Sequence, residues 1–318
     1  MKAIHYKQYG DLSQLEEVEI DRPEPTASQI LIKVETSAIN PIDWKLLSGS
    51  FRAIMPVKFP AIPGFDLAGE VIAVGAAVTQ FKIGDRIYAC QDIKQFGTAA
   101  EYTVVEEYIA DLIPEGLSAG EAAGIPLAGL TALQGLRNCA GLNAGERVLI
   151  VGGSGGVGHY AVQIAKAMDT NVTAVCSTGN VEMVRDLGAD TVIDYNKQTD
   201  FSTDLKYDVV LDCVVNSPYK VFAAVMQSDA VYVPALPSVS FMIKSYLMPL
   251  YTKRRVKPVM LKTNGKDLNF LSNLVREGKL RTIVDSSYSL NEYREAFDRI
   301  QTGRTRGKII INIYKNYR

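Results

Sequence analysis

The chain has 318 residues, 34 Lys and Arg against 35 Asp and Glu, and a formal charge of −1. That length points to about two domains, and the even charge balance excludes a polyanion-binding surface spread over the whole protein. Two His and four Cys leave little material for a metal site. Cys90, Cys139, Cys176 and Cys213 lie far apart in sequence, so no C-x-x-C pair exists to grip zinc or run thiol chemistry. Reduced, mostly buried thiols in a cytoplasmic protein are expected. The opening MKAIHYKQYG lacks an apolar h-region, so no secretory leader is expected. Apolar stretches break well before the roughly 20 residues of a spanning helix, so no membrane span is expected either.

The first third reads as strands. Residues 15–20 and 30–35 alternate apolar with polar side chains at the period of a half-buried sheet. Prolines at 23, 25, 41, 56, 60 and 63 punctuate the loops. Glycines 64, 69, 75 and 84 separate short Val/Ile runs, which suits the corners of a barrel-like β domain. AEYTVVEEYIADL gives two further strands. From about residue 118 the pattern changes: residues 117–141 are rich in Ala and Leu at helical spacing, opened by a Ser118/Glu121 capping box.

Strand and helix then alternate. Strands are expected at 147–151, 171–176, 191–193, 208–211 and 230–233, and helices at 156–168, 180–187 and 218–227. Continuously apolar strands in such an alternation signal a parallel sheet covered on both faces. The last fifty residues predict helices at 268–277 and 291–300 and a final strand at 308–313, which fits a return to the first domain.

The sharpest local signal is RVLIVGGSGGVGHYAVQIAKA. A buried strand runs into Gly153-Ser154-Gly155-Gly156-Val157-Gly158 and a helix follows directly, which is G-x-G-x-x-G in its strand–turn–helix context. Gly153 is expected to permit the tight turn, Gly155 the approach of a pyrophosphate, and Gly158 the packing of helix on strand. The phosphates would sit at the helix N-terminus. An NAD site usually carries an acid at the end of the next strand. Here Cys176-Ser177-Thr178-Gly179-Asn180 has none, which favours NADP(H). Arg185 on the next helix could reach a 2′-phosphate. His159 is expected to be a partly buried structural residue.

These segments together resemble the medium-chain dehydrogenase/reductase superfamily over nearly the whole length. The resemblance rests on Ala38-Ile39-Asn40-Pro41-Ile42-Asp43, Pro63-Gly64-Phe65-Asp66-Leu67-Ala68-Gly69, Lys82-Ile83-Gly84-Asp85-Arg86-Ile87, Gly97-Thr98-Ala99-Ala100-Glu101-Tyr102, Thr131-Ala132-Leu133 and Gly307-Lys308-Ile309-Ile310. It implies an α/β protein: a GroES-like β-barrel catalytic domain (1–123 and 264–318) around a Rossmann NADP(H)-binding domain (124–263). Laid on the superfamily's zinc-ligand positions, the residues are Asn40, Phe65 and Asp66, with a further position near Leu127. Phe and Leu cannot coordinate zinc, and one amide with one acid is not a zinc site. The pattern therefore resembles the zinc-free quinone oxidoreductase and enone (alkenal) reductase group.

That group reduces quinones or the activated C=C of α,β-unsaturated carbonyls with NADPH. The resemblance implies catalytic roles for Asn40, as an amide donor to substrate oxygen or cofactor, for Asp43, as an orienting group, and for Lys45, as a cation near the developing enolate. It implies cofactor contacts from Thr131, the loop Gly153, Ser154, Gly155, Gly156, Val157 and Gly158, then Ser177, Thr178, Tyr195, Ala235, Leu236 and Lys308. Phe51 and Phe65 are expected in the substrate pocket. Phe51 stands in Gly49-Ser50-Phe51 where related reductases carry a Tyr, and it cannot donate a proton. A catalytically weak cofactor-binding protein of the same fold, like the lens crystallins or trafficking factors, is the alternative, and a zinc alcohol dehydrogenase is the third reading. The expected partner is a small molecule, with no nucleic acid and no membrane; the basic run 253–257 reads as a solvated turn. A homodimer is expected, through an edge strand at 256–261, and the apolar segment 241–251 is a candidate cleft cover or interface.

Overall fold

The computed structural model describes residues 1–92, 95–198, 201, 206–236, 241 and 253–314. Its contacts divide the chain into two compact units. One comprises Met1–Ala128, Lys262–Glu277 and Arg281–Arg318; the other comprises Gly129–Leu261 with Gly278–Leu280. Apart from Phe241, the apolar segment 241–251 lies outside the described residues.

In the first unit, β1 (Lys2–His5) and β2 (Glu16–Glu19) form a small antiparallel pair. β3 (Gln29–Ile39) is nearly twice as long as the alternation at 30–35 predicts. Tertiary pairing extends it: its first half bonds to β6 (Tyr102–Glu106), and most of its length bonds to β4 (Asp66–Val74). β5 (Arg86–Cys90) and β7 (Ala110–Leu112) continue the sheet beyond β4. The short helix α1 (Pro41–Leu47) leaves the end of β3, with Pro41 at its first position, where a missing N–H costs nothing.

The expected continuous helix at 117–141 is broken. α2 (Ala119–Gly124) carries the Ser118/Glu121 capping box. Then α3 (Pro126–Gln134) restarts at Pro126, which has no N–H to continue the ladder, and runs into a π-helical turn at Gly135–Ala140.

The second unit is a six-stranded parallel sheet. It holds β8 (Arg147–Val151), β9 (Asn171–Cys176), β10 (Thr191–Asp194), β11 (Tyr207–Asp212), β12 (Met226–Pro234) and β13 (Arg255–Val256). Their spatial order is β10-β9-β8-β11-β12-β13, which is the 3-2-1-4-5-6 order of a dinucleotide-binding sheet. The helices between them are α4 (Gly158–Ala167), α5 (Val181–Asp186) and α6 (Tyr219–Ala223). Two expectations are corrected here. The helix at 218–227 stops at Ala223 because β12 begins at Met226, four residues before the expected strand. The edge strand is only Arg255–Val256, and Pro258 cannot donate to a ladder beyond it.

The chain then returns to the first unit through helices Gly265–Arg276 and Tyr293–Gln301. β14 (Val284–Ser289), polar and not foreseen, pairs in parallel with β15 (Lys308–Asn312). β15 bonds antiparallel to the second half of β3, Ile309 opposite Ile39, so the last strand rejoins the first domain as expected. Among the described residues no helix is long and apolar enough to cross a membrane.

Candidate active site

In the second unit all strands run in parallel, so their carboxyl ends share one edge. Ligands bind outside that edge at the point where the strand order reverses, here between β8 and β11. The loop Gly152–Gly158 leaves β8 at this point. The residue that makes the turn is Gly152, with φ +80°, not Gly153 as the motif spacing predicts. Gly153 is needed for space instead, since an added Cβ would lie 2.9 Å from the Ala174 side chain. At Gly158 an added Cβ would sit 2.0 Å from the Gly152 carbonyl, so helix and strand pack there only without a side chain. At Gly155 the nearest atom would be that same carbonyl at 3.4 Å, an ordinary contact that leaves room for a phosphate.

Ser177 and Thr178 follow β9 on the same edge, Tyr195 follows β10, and Ala235 and Leu236 follow β12. Asn180 ties the first two loops together: its Nδ2 donates to Ser154 Oγ and Ser177 Oγ, each at 3.1 Å. Asn196 Nδ2 donates to Thr178 Oγ1 at 3.2 Å. These hydroxyls and amides, with no carboxylate among Ser177, Thr178 and Asn180, fit a dinucleotide carrying an extra phosphate. Tyr195 is exposed, as a side chain flanking an adenine would be. Thr131 is buried in α3. His159 is fully buried, with Nδ1 2.9 Å from the Gly155 carbonyl, so it braces the loop from inside.

β11 ends on Asp212, which sequence reading missed because nothing local marks it. Its buried carboxylate accepts the N–H groups of Val214 and Val215 and the Tyr232 hydroxyl at 2.7 Å. Val215 sits at φ +58°, a strained conformation for a β-branched residue, and these bonds help to hold it.

The first unit gathers a different set. Asn40 follows β3 directly and is the N-cap of α1, in a capping box with Asp43. Its Nδ2 donates to Asp66 Oδ2 at 2.8 Å, and its Oδ1 accepts from Lys308 Nζ at 2.5 Å. Lys308 Nζ also reaches Asp66 Oδ2 at 3.2 Å and the Ile39 carbonyl at 3.4 Å. Asp66 Oδ1 accepts the Leu127 N–H at 2.7 Å. All three side chains are almost fully buried. Burial pushes the Asp66 carboxyl up, while Lys308, Asn40 and the Leu127 N–H hold it down. Lys308, expected among the cofactor contacts, thus has its ammonium taken up inside the first unit.

Asp43 lies beside this trio. Its Oδ2 accepts the Asn40 N–H at 2.7 Å, and its Oδ1 has no hydrogen bond. Burial lifts its carboxyl to about 7; the Asn40 N–H opposes the rise and the nearby Asp66 charge adds to it. Lys45, on the same helix, is half-buried, and burial lowers its ammonium. Its Nζ lies 5.7 Å from the Trp44 ring centre and 6.0 Å from that of Phe51. Phe65 is buried in a tilted contact with Phe96 at 5.4 Å. The first unit thus brings together Asn40, Asp43, Asp66 and Lys308, and separately Lys45 with Phe51.

These geometries test the fit of a zinc ion. The oxygens of Asn40 and Asp66 already face an ammonium, and Phe65 and Leu127 offer no donor side chain. The residues do not fit zinc. Among the described residues no cluster of His, Cys, Asp and Glu could hold a metal.

The chain matches the family described as alcohol dehydrogenase GroES-like domain over residues 26–115 and that described as zinc-binding dehydrogenase over 187–311. It is 38% identical to the chloroplast envelope quinone oxidoreductase homolog of Arabidopsis thaliana, over 98% of each chain. It is 35% identical to the chloroplastic NADPH-dependent alkenal/one oxidoreductase of the same plant, over 98% of this chain and 79% of that one. Among solved structures, the quinone oxidoreductase from Coxiella burnetii superposes with a TM-score of 0.89 at 31% identity, covering 99% of both chains.

Proposed function

The chain belongs to the medium-chain dehydrogenase/reductase superfamily, and from that premise we propose that it is an NADPH-dependent, zinc-independent reductase of quinones or of the activated C=C of α,β-unsaturated carbonyls. The observation that carries this reading is the state of Asp66. The one acid at a metal-ligand position is held by Lys308, Asn40 and a peptide N–H, so the charge a metal would meet is already neutralised. The domain assignment stays part of the proposal, with 1–123 and 264–318 catalytic and 124–263 binding NADP(H).

When bound, the nicotinamide supplies the hydride. The chain's own residues position the reactants and meet the charge that develops on the substrate oxygen. The Gly153–Gly158 loop takes the pyrophosphate, and Ser177, Thr178 and Asn180 take the 2′-phosphate. Asn40 has one Nδ2 hydrogen engaged by Asp66 and a second that has no acceptor among the described residues and is left to give. Lys45 has aromatic neighbours, a half-buried ammonium and, among the described residues, no acidic partner in an ion pair, which suits a cation that meets an enolate and returns a proton.

The acceptor is a small molecule. A homodimer and a cytoplasmic location complete the reading, although the relatives quoted carry chloroplast names. The test is NADPH oxidation, followed by nicotinamide absorbance, with a panel of quinones, enones, alkenals and enoyl thioesters. Turnover with a quinone or enone and little with NADH is expected. Tight NADPH binding without any turnover would leave a cofactor-binding protein, and stoichiometric zinc by elemental analysis would overturn zinc independence.

A further inference from the structure

The ring of contacts among Lys308, Asn40 and Asp66 has a property that no one of its bonds has alone. A carboxamide can present either its oxygen or its NH2 to a given neighbour, and in many sites both orientations can be satisfied. Here they cannot. Lys308 Nζ, 2.5 Å from Asn40 Oδ1, is a donor with nothing to accept, and Asp66 Oδ2, 2.8 Å from Nδ2, is a carboxylate oxygen. A flip would set NH2 against NH3⁺ and carbonyl against carboxylate in a site closed to water. The third side of the triangle, Lys308 to Asp66 at 3.2 Å, fixes the ammonium itself. α1 adds a neutral contact, a capping box in which the Asp43 N–H faces the Asn40 side chain, while Lys308 supplies the charged contact at the amide oxygen.

We propose that Lys308 is a positioning residue for the reduction: its buried ammonium locks the Asn40 carboxamide in one orientation, so that the remaining Nδ2 hydrogen points in a fixed direction. This rests on the role given to Asn40 above. A second function of the ammonium, neutralising Asp66, is purely structural, and the two have to be separated. Truncating one partner of a buried charge pair leaves the other uncompensated, so loss of stability in a single variant would say nothing about positioning.

The experiment pairs Lys308→Met with the double variant Lys308→Met/Asp66→Asn. The double variant removes both charges and leaves Asn40 with an acceptor at position 66 but no cation at its oxygen. Three quantities are read on each folded protein: thermal melting, kcat and KM for NADPH and acceptor, and the Asn40 side-chain amide signals in a 1H–15N spectrum, identified by their loss in Asn40→Asp. The double variant is expected to recover the melting temperature lost by Lys308→Met. Its kcat stays down by roughly 10- to 100-fold with KM for NADPH little changed. Its two Asn40 amide hydrogens, distinct in the unsubstituted protein, broaden or merge. Recovery of kcat together with stability, or unchanged amide signals, would overturn the proposal and reduce Lys308 to charge compensation. The amide signals are read without any substrate, so they decide the positioning claim even if the unsubstituted protein fails to turn over every acceptor in the panel.

Discussion

The candidate residues of the second unit and those of the first are built from different materials. At the carboxyl edge of the second unit the working surface is backbone: Gly152 supplies the turn, and Gly153, Gly155 and Gly158 supply the absence of a side chain. At the start of α1 in the first unit it is side chain: an amide, two carboxylates and an ammonium, buried together. A backbone site tolerates changes in the identity of its neighbours but no added atom. A buried polar site tolerates small changes of shape but no unpaired charge. The same size of substitution should therefore fail for different reasons in the two places.

The largest effect is expected on the backbone side. Gly158→Val would place carbon against the Gly152 carbonyl where even a Cβ stands at 2.0 Å, and should cost more than about 3 kcal/mol or prevent folding of the second unit. Thermal melting and NADPH titration by fluorescence read it; a variant that melts and binds normally would break the contrast.

Next comes Asp43, where pH separates the sites. Its folded carboxyl sits near 7, above the ordinary value of 3.8. Between those values the folded state holds more protons than the unfolded one, so stability falls as pH rises through that window and is flat above it. Asp43→Asn keeps an acceptor for the Asn40 N–H and should remove the fall, leaving the variant about 1–3 kcal/mol more stable than the unsubstituted protein above neutral pH. Parallel denaturant titrations at pH 5 and pH 8 that kept the same slope in both proteins would discard the raised carboxyl.

Smaller effects sharpen the comparison within each half. Lys45→Ala should lower kcat by about 10-fold while NADPH affinity holds, and an unchanged kcat would return Lys45 to the role of a surface cation. Asn180→Asp removes the donors that join Ser154 to Ser177 and sets an acid beside the expected 2′-phosphate. KM for NADPH should rise by about 3- to 10-fold relative to that for NADH; equal changes for both cofactors would detach Asn180 from cofactor choice.

The same contrast explains what was legible. The glycine loop could be read because its residues are consecutive and spacing alone carries the geometry; only the division of labour between Gly152 and Gly153 needed coordinates. The alternating strands and helices of the second unit were readable for the same local reason. Asp66 was visible as an acid at a metal-ligand position, but its partners were not. Asn40 and Asp66 are 26 residues apart, and Lys308 lies 268 residues from Asn40. Periodicity has no reach over such distances, so Lys308 was assigned by its motif to the cofactor and its ammonium was found elsewhere. β14 was missed because VDSSYS carries little strand propensity and is held by pairing with β15.

Because β15 carries Lys308, the order of protein synthesis acquires a chemical meaning. Asp66 leaves the ribosome 242 residues ahead of the cation that neutralises it. Until that strand docks against β3, the nascent first unit can close only by burying an uncompensated carboxylate, by protonating it, or by staying open. The buried ion pair of the first unit can therefore form only after β15 has been made, so the charge pairing of that unit is the work of a strand at the far end of the chain.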